Sequence, residues 1–347
     1  MKQVFAWMLV LMMLFSLSAC GMVQTSPTET GDTTLATDAD GFEDIPVVTK
    51  PPFKTVYYWV EKKVTKGNVT TTYSRSYDDK GNLTKDACTA SDGSVGYSYA
   101  YTYDKNGNCL TETCEDLFLG SWSIINTYDE SGKLTTKALE KAESKTVTEY
   151  TYDESGKLVK TTEIHDMDHQ VVTEYSYNRK GFLLKKEVFQ VRSGSSEKTH
   201  TTEYRYDEYG NQAEIAEYEG ATLATRERKI YNEKGQLLVA ISALYGDQGK
   251  GVAYTYDRFG SVLTEVTGTY RGQELLDIDF YEERSYNERK LLNQRICYSA
   301  AGAVTGEYDY QYDAQWNLIK EIEYKYNSNH KTTTTEYKYI GIEMPND

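Results

Sequence analysis

The sequence lacks the motifs of the commonest nucleotide-binding and serine-dependent enzymes. Its 347 residues contain no glycine loop of the Walker or dinucleotide-binding kind and no Gly-x-Ser-x-Gly nucleophile elbow. These absences argue against both enzyme classes and favour a non-catalytic protein. Glu and Asp are plentiful, so an envelope enzyme that uses a carboxylate pair, such as a glycan hydrolase, stays open as an alternative.

Positive charge is also scarce. The chain has 38 basic and 53 acidic side chains, and removing residues 1–19 would remove only Lys2 among them, which leaves 37 − 53 = −16. A surface with this excess of negative charge repels phosphate backbones. We therefore expect no nucleic-acid partner.

The amino terminus has the pattern of a secretory signal. Lys2 precedes a long apolar run, and small residues then lead to Cys20. The stretch Leu17-Ser18-Ala19-Cys20 resembles the lipobox of bacterial lipoproteins, which implies cleavage before Cys20 and lipidation of its thiol. We expect a signal peptide over 1–19, a lipidated Cys20 with a disordered acidic tether over 20–52, and a folded domain over 53–347 that is anchored to the extracytoplasmic face of a membrane.

The rest of the chain is one repeat written about ten times. Proline is rare, with 5 residues, whereas tyrosine reaches 32, and this composition favours strands and tight turns over helices. A tyrosine recurs every 24 to 30 residues, followed by Asp or Asn and, in eight copies, by Gly four places after the tyrosine. These anchor tyrosines are Tyr77, Tyr103, Tyr128, Tyr152, Tyr177, Tyr206, Tyr231, Tyr256, Tyr286 and Tyr312.

This spacing predicts a β-hairpin with a type I turn and a glycine bulge at each anchor. The turn should place each tyrosine opposite the residue six places on, for example Tyr152 opposite Leu158. Two residues earlier the same face often carries a second tyrosine, and lysines such as Lys160 and Lys320 should lie across these rings. Lys290 and Trp316 replace the glycine, where a left-handed backbone is costly.

Ten hairpins predict an all-β fold with about twenty strands in one antiparallel sheet. Sheets of that size curl, so we expect a long, twisted and open-ended ribbon with irregular caps at 55–64 and 332–344.

The copies YDDKGNL, YDESGKL and YNEKGQL resemble the YD repeats of the Rhs family, whose strips wind into hollow shells. We expect ten repeats to be too few for a closed shell, and the Asp-Pro motif that ends the large family members is absent. A component or remnant of an Rhs-type toxin or immunity system is therefore a second alternative.

Candidate sites are few. His165, Asp166, Asp168 and His169 form a weak candidate metal site, and no cofactor is expected. Cys88 and Cys114 fall at the same repeat position, two strands apart, which favours free thiols over a disulfide.

The tyrosines raise the question of sugar binding, because aromatic rings with a polar tip stack on sugars. We expect the anchors to be structural and any ligand patch for a glycan, an envelope component or a protein partner to use tyrosines outside the repeat phase, which are Tyr99, Tyr209, Tyr218, Tyr270 and Tyr281.

Overall fold

The computed structural model describes residues 53–91, 95–116, 120–242, 246–326 and 332–345, and all regular structure in them is β-strand. The expected signal peptide, Cys20 and the tether lie outside the described residues. Within the described ranges, no helix is long and apolar enough to span a membrane.

The strands follow one another in a simple up-and-down order. They are β1 (Phe53–Lys66), β2 (Val69–Tyr77), β3 (Leu83–Ala90), β4 (Val95–Tyr103), β5 (Cys109–Asp116), β6 (Trp122–Tyr128), β7 (Leu134–Lys141), β8 (Ser144–Tyr152), β9 (Leu158–Ile164), β10 (His169–Tyr177), β11 (Leu183–Arg192), β12 (Ser195–Tyr206), β13 (Gln212–Glu219), β14 (Thr222–Tyr231), β15 (Leu237–Ser242), β16 (Gln248–Tyr256), β17 (Val262–Arg271), β18 (Glu274–Tyr286), β19 (Leu292–Ser299), β20 (Val304–Tyr312), β21 (Leu318–Lys325) and β22 (Thr332–Pro345).

The sheet is closed, so the prediction of an open-ended ribbon is wrong. Each strand pairs antiparallel with the next, and β22 pairs antiparallel with β1, so that all 22 strands form one barrel. The two segments expected to be irregular caps are the seam, in which thirteen residue pairs join 53–66 to 333–345. With strands about 4.8 Å apart the perimeter is roughly 106 Å before strand tilt.

The seam repeats the internal register of the hairpins. Tyr339 pairs with Trp59 across it, and an irregularity follows at once between Trp59 and Glu61. An anchor tyrosine pairs with its apolar partner in the same way, for example Tyr152 with Leu158. The first and last strands thus form an eleventh repeat that lacks only its turn, and this allows the ribbon to close.

The turns have the predicted chemistry. In the copy after β8, the Gly156 amide donates to the Asp153 carbonyl at 2.9 Å, and Gly156 has a φ of 82°. Lys290 and Trp316 adopt the same left-handed backbone, with φ of 64° and 69°, although neither is glycine. The repeat therefore imposes the turn even where the local residue disfavours it.

The lysines do not lie where the sequence predicts. Beyond each anchor pair the register shifts, so Tyr150 faces Thr161, and Lys160 faces Thr151 on the opposite side of the sheet. Lys320 pairs with Gln311 for the same reason. Two anchor rings instead have a lysine over them from the preceding turn, because Lys133 Nζ lies 5.5 Å from the centre of the Tyr152 ring and Lys157 Nζ lies 5.6 Å from that of Tyr177. The extra bulged residue after the apolar partner could not be counted from the motif alone.

Phenol hydroxyls link each repeat to the one before it. Tyr152 Oη donates to the Leu134 carbonyl at 2.9 Å, and Tyr339 Oη donates to the Leu318 carbonyl at 2.9 Å. Eleven such bonds of 2.7 to 3.2 Å run around the barrel, and they involve the ten anchors and Tyr339. We call the side of the sheet that carries these rings the tyrosine face, and the edge beyond them the turn rim.

Candidate functional site

One strand carries more tyrosine on the tyrosine face than its repeat requires. In β4 the sequence Tyr-Ser-Tyr-Ala-Tyr-Thr-Tyr alternates, so Tyr97, Tyr99, Tyr101 and Tyr103 all point to the same face. The Trp122 ring of β6 lies 5.8 Å from Tyr99 in an edge-to-face arrangement. We call these five residues the aromatic strip.

The rings of the strip contact one another in a row along β4. Tyr99 and Tyr101 lie 6.5 Å apart between ring centres, with planes only 17° from parallel. Tyr97 meets Tyr99 edge-on at 5.0 Å and 61°. Because each of these rings is half-buried, the row keeps part of its aromatic surface open to a ligand.

Burial acts on the hydroxyls of the strip, which are protonated at physiological pH as ordinary tyrosines are. It raises the pKa of Tyr97, Tyr99 and Tyr101 far above the ordinary value, and neighbouring carboxylates add to the effect. At physiological pH each phenol is protonated; the hydroxyl of Tyr97 is hydrogen-bonded to Asp86 and that of Tyr99 to the Cys114 thiol, and their lone pairs can still accept. Such groups suit hydroxyl-rich ligands.

Two carboxyl groups flank the strip on the neighbouring strands. Asp86 of β3 is 8 % exposed, and it accepts from Arg75 Nε at 2.8 Å and from the Tyr97 hydroxyl at 3.3 Å. Glu112 of β5 faces Tyr101, and burial raises the pKa of its carboxyl, an effect that Lys137 partly offsets. Asp86 is thus engaged by structural partners, whereas Glu112 has a desolvated carboxyl beside the rings.

A cavity elsewhere on the barrel is a second candidate for a binding site. A shallow cavity of about 460 Å³ opens at the turn rim between the turns after β14 and β16, and Tyr254 and Tyr256 line it. Its polar wall is already committed, because Asn232 Oδ1 accepts from the Lys234 amide and Asn232 Nδ2 donates to Gln236 Oε1. We therefore regard this cavity as a consequence of turn packing, and the aromatic strip as the stronger candidate site.

The structure does not assemble the ligand patch expected from the sequence. Tyr99 belongs to the aromatic strip, whereas Tyr209 lies in a turn with 70 % exposure. Tyr270 is 1 % exposed in a buried cluster with Val239 and Ile241. The other two lie on separate strands, where Tyr218 pairs with Thr201 and Tyr281 stacks on Tyr298 at 4.5 Å.

Sequence reasoning missed Tyr97, Tyr101 and Trp122. The signal was available, because only this strand of the repeat series carries tyrosine at four alternating positions. The repeat phase concealed it, since Tyr101 and Tyr103 match the common pair and look structural.

The predicted metal residues do not form a ligand set. The rings of His165 and His169 stack at 4.7 Å, His165 Nε2 lies 2.9 Å from Glu163 Oε1, and His169 Nε2 lies 3.0 Å from Gln190 Oε1. Asp166 Oδ1 accepts from the Asp168 amide within the link. No group of three or more metal-binding side chains occurs among the described residues.

The described cysteines are free thiols. Cys88 and Cys114 lie on β3 and β5 with β4 between them, opposite Tyr97 and Tyr99 respectively. Burial raises the pKa of both thiols, so they are protonated packing groups beside the aromatic strip.

No family model matches this chain, and no curated protein matches it. Among solved structures it is similar to a chain in the crystal structure of TcdB2-TccC3-Cdc42, with 14 % identity over 85 % of this chain and 22 % of that chain and a TM-score of 0.28. A porin-like protein from Bacteroides uniformis has 11 % identity over 83 % of this chain and 97 % of that one, with a TM-score of 0.30. A porin-like protein from Bacteroides vulgatus has 9 % identity over 82 % of this chain and 98 % of that one, with a TM-score of 0.27. The chain spans about a fifth of the length of the chain from the TcdB2-TccC3-Cdc42 structure, and TM-scores this low leave the function to be argued from the residues of this chain.

Proposed function

We propose that the protein is a non-catalytic bacterial surface lipoprotein whose YD-repeat barrel binds a glycan through the aromatic strip. The strip carries this proposal, because four half-buried tyrosines and the Trp122 indole lie together on one face of the sheet, and aromatic rings with polar tips suit sugar rings, on which they stack and to which they hydrogen-bond. The engagement of Asp86 by Arg75 and Tyr97 supports a binding role rather than a catalytic one.

Anchoring through Cys20 is the second part of the proposal. The lipobox-like residues 17–20 would place a diacylated cysteine ahead of the tether 20–52, which holds the barrel near the membrane. Metabolic labelling with a palmitate analogue should mark the wild-type chain and not a Cys20→Ala variant. Equal labelling of the two would refute the anchor.

Binding is tested with the chain from residue 20 onward carrying Cys20→Ala, so that no lipid interferes. A glycan array followed by calorimetry should identify a saccharide that the protein binds, and Tyr99→Ala should weaken its binding. Tyr209→Ala serves as the control, because this ring lies in an exposed turn away from the strip. Failure of every glycan to bind, or equal loss in both variants, would refute the proposed function.

A further inference from the structure

The seam extends beyond the turn rim as a two-stranded arm. Each of the ten hairpins ends in a five-residue turn after its anchor tyrosine. At the seam, both strands instead continue for six further residue pairs beyond the pair of Tyr339 and Trp59. At about 3.4 Å a residue these pairs extend over roughly 20 Å. We call residues 53–58 and 340–345 the seam arm.

The seam arm has strand edges that no neighbouring strand covers. β2 pairs with β1 only over 61–66, and β21 pairs with β22 only over 332–336. Within the described part of the chain, the arm therefore has no strand on either outer side. Alternate backbone N–H and C=O groups of its two strands point away from the ladder between them, where a further strand can pair.

The edge of β22 lacks the charges that protect another exposed edge of this barrel. β18 runs past the pairing of β19 over 274–279, and three of these six residues are acidic. Over 339–342 the chain has no charged residue and no proline, and the first charge after this stretch is Glu343. Lys338, the nearest lysine, is held by Glu61 at 2.7 Å. Natural proteins use charges, prolines and bulges to keep exposed edges from associating, so this edge is one that is free to pair.

The two edges of the arm differ in their surroundings. On the β1 side, the Tyr58 ring packs on the Tyr77 ring at 4.8 Å, and Val56 is only 8 % exposed. On the β22 side, Ile340 is 40 % exposed, and Gly341 beside it is exposed as well. The edge of β22 is therefore the accessible one.

A second copy of the chain fits this edge. A two-stranded ribbon is only marginally stable in water, and additional strands stabilise it. Two identical edges related by a two-fold axis run antiparallel, which is the geometry of an antiparallel ladder. The arm carries only Lys54 and Glu343 among its twelve residues as charges, so pairing of two arms keeps the acidic barrel walls out of the contact.

We infer that the edge of β22 in the seam arm is an association surface, at which the arms of two copies form one four-stranded antiparallel sheet. The contact is small, because Pro345 has no N–H to donate and ends the edge after 340–344. We therefore expect a dissociation constant on the order of 100 µM and a monomer in dilute solution. The negative net charge of each copy opposes association, so salt should tighten it.

Sedimentation equilibrium tests the inference with the chain from residue 20 onward carrying Cys20→Ala, from about 10 µM to about 1 mM and at low and high salt. We expect a monomer–dimer equilibrium that tightens with salt. Ile340→Lys should weaken it about tenfold, because two lysines then meet across the two-fold axis. Ile125→Lys is the matched control, because Ile125 is 42 % exposed on β6, which pairs on both sides. It should leave association unchanged.

Hydrogen exchange of the parent gives a second measurement that needs no variant. The amides of 340–343 should exchange more slowly at about 1 mM than at about 10 µM. A monomer at every concentration, or equal weakening by Ile340→Lys and Ile125→Lys, would overturn the inference. Slow exchange of this edge in the dilute monomer would also overturn it, because a segment of the same chain would then cover the edge.

Discussion

Removing one complete repeat should leave the barrel closed, whereas removing the last strand of the barrel, β22, should open it. Deletion of residues 153–177 joins Tyr152 to Asn178 and removes β9 and β10, which leaves 20 strands. Because an even number of strands remains, β22 still meets β1 in the antiparallel direction that the seam requires. The turn that follows β10 in the parent then joins β8 to β11 with the same chemistry.

The structural cost of this deletion is small. The perimeter falls from roughly 106 Å to 96 Å, and the mean bend between neighbouring strands rises only from about 16° to 18°. Deletion of 332–347 instead removes β22 and leaves 21 strands, whose ends β1 and β21 run parallel. The thirteen residue pairs that joined β1 to β22 are lost, and two sheet edges become available for aggregation.

Light scattering after gel filtration, X-ray scattering and thermal unfolding would measure both variants. The repeat deletion should be a monomer with a smaller cross-section that melts cooperatively, and the strand deletion should melt far lower or aggregate. Collapse of the repeat deletion to the same extent would refute the account of closure. A strand deletion that melts like the parent would show that the seam contributes nothing.

Three further predictions concern single sites. Tyr256→Phe should lower the unfolding free energy by about 1 kcal/mol, since it removes the bond from Tyr256 Oη to the Leu237 carbonyl, and Tyr209→Phe in the exposed turn should not change it; denaturant titration would detect the difference. Lys290→Gly should be more stable than Lys290→Ala by about 1 kcal/mol, because glycine relieves the strain of the left-handed backbone. Relative to the parent, Lys290→Ala should lose about 0.5–1 kcal/mol, because it removes the contact between Lys290 Nζ and the Phe259 ring. Equal stability of the two variants would contradict the strain. Stability should also fall on acidification, because bonds from the Ser155 hydroxyl and the Lys157 amide lower the pKa of Asp153, and bonds from the Lys133 amide and the Ser131 hydroxyl lower that of Asp129. This contribution is present above the unfolded pKa of about 3.9 and is lost as pH falls through the folded pKa. A double variant with Asp129→Asn and Asp153→Asn copies the natural Asn178 turn. In thermal melts it should be less stable than the parent at pH 7, and the difference should be smaller at pH 3. An equal difference at the two pH values would contradict the linkage.

The hairpins were predictable because their determinants are local. Asp153 and Gly156 fix the turn, and the turn fixes the pairing of Tyr152 with Leu158, which the structure confirms. The lysine positions were predicted wrongly because the extra bulge beyond Leu158 has no residue signature in the motif. The site was predicted only at Tyr99, since the value of Tyr101 and Trp122 comes from ring contacts made across β4, β5 and β6.

By itself the sequence determined the all-β class, the repeat, the pairing of each anchor tyrosine with the residue six places on, and the turns, because each depends on residues within one hairpin. Only the tertiary structure decided that the ribbon closes. Closure needs Trp59 and Tyr339, separated by nearly the whole chain, to meet in the register of an ordinary repeat, and that depends on the curvature summed over 22 strands. Summed curvature has no local signature, and the same holds for the contact of Tyr99 with Trp122 and that of Tyr308 with Arg295, which other strands supply.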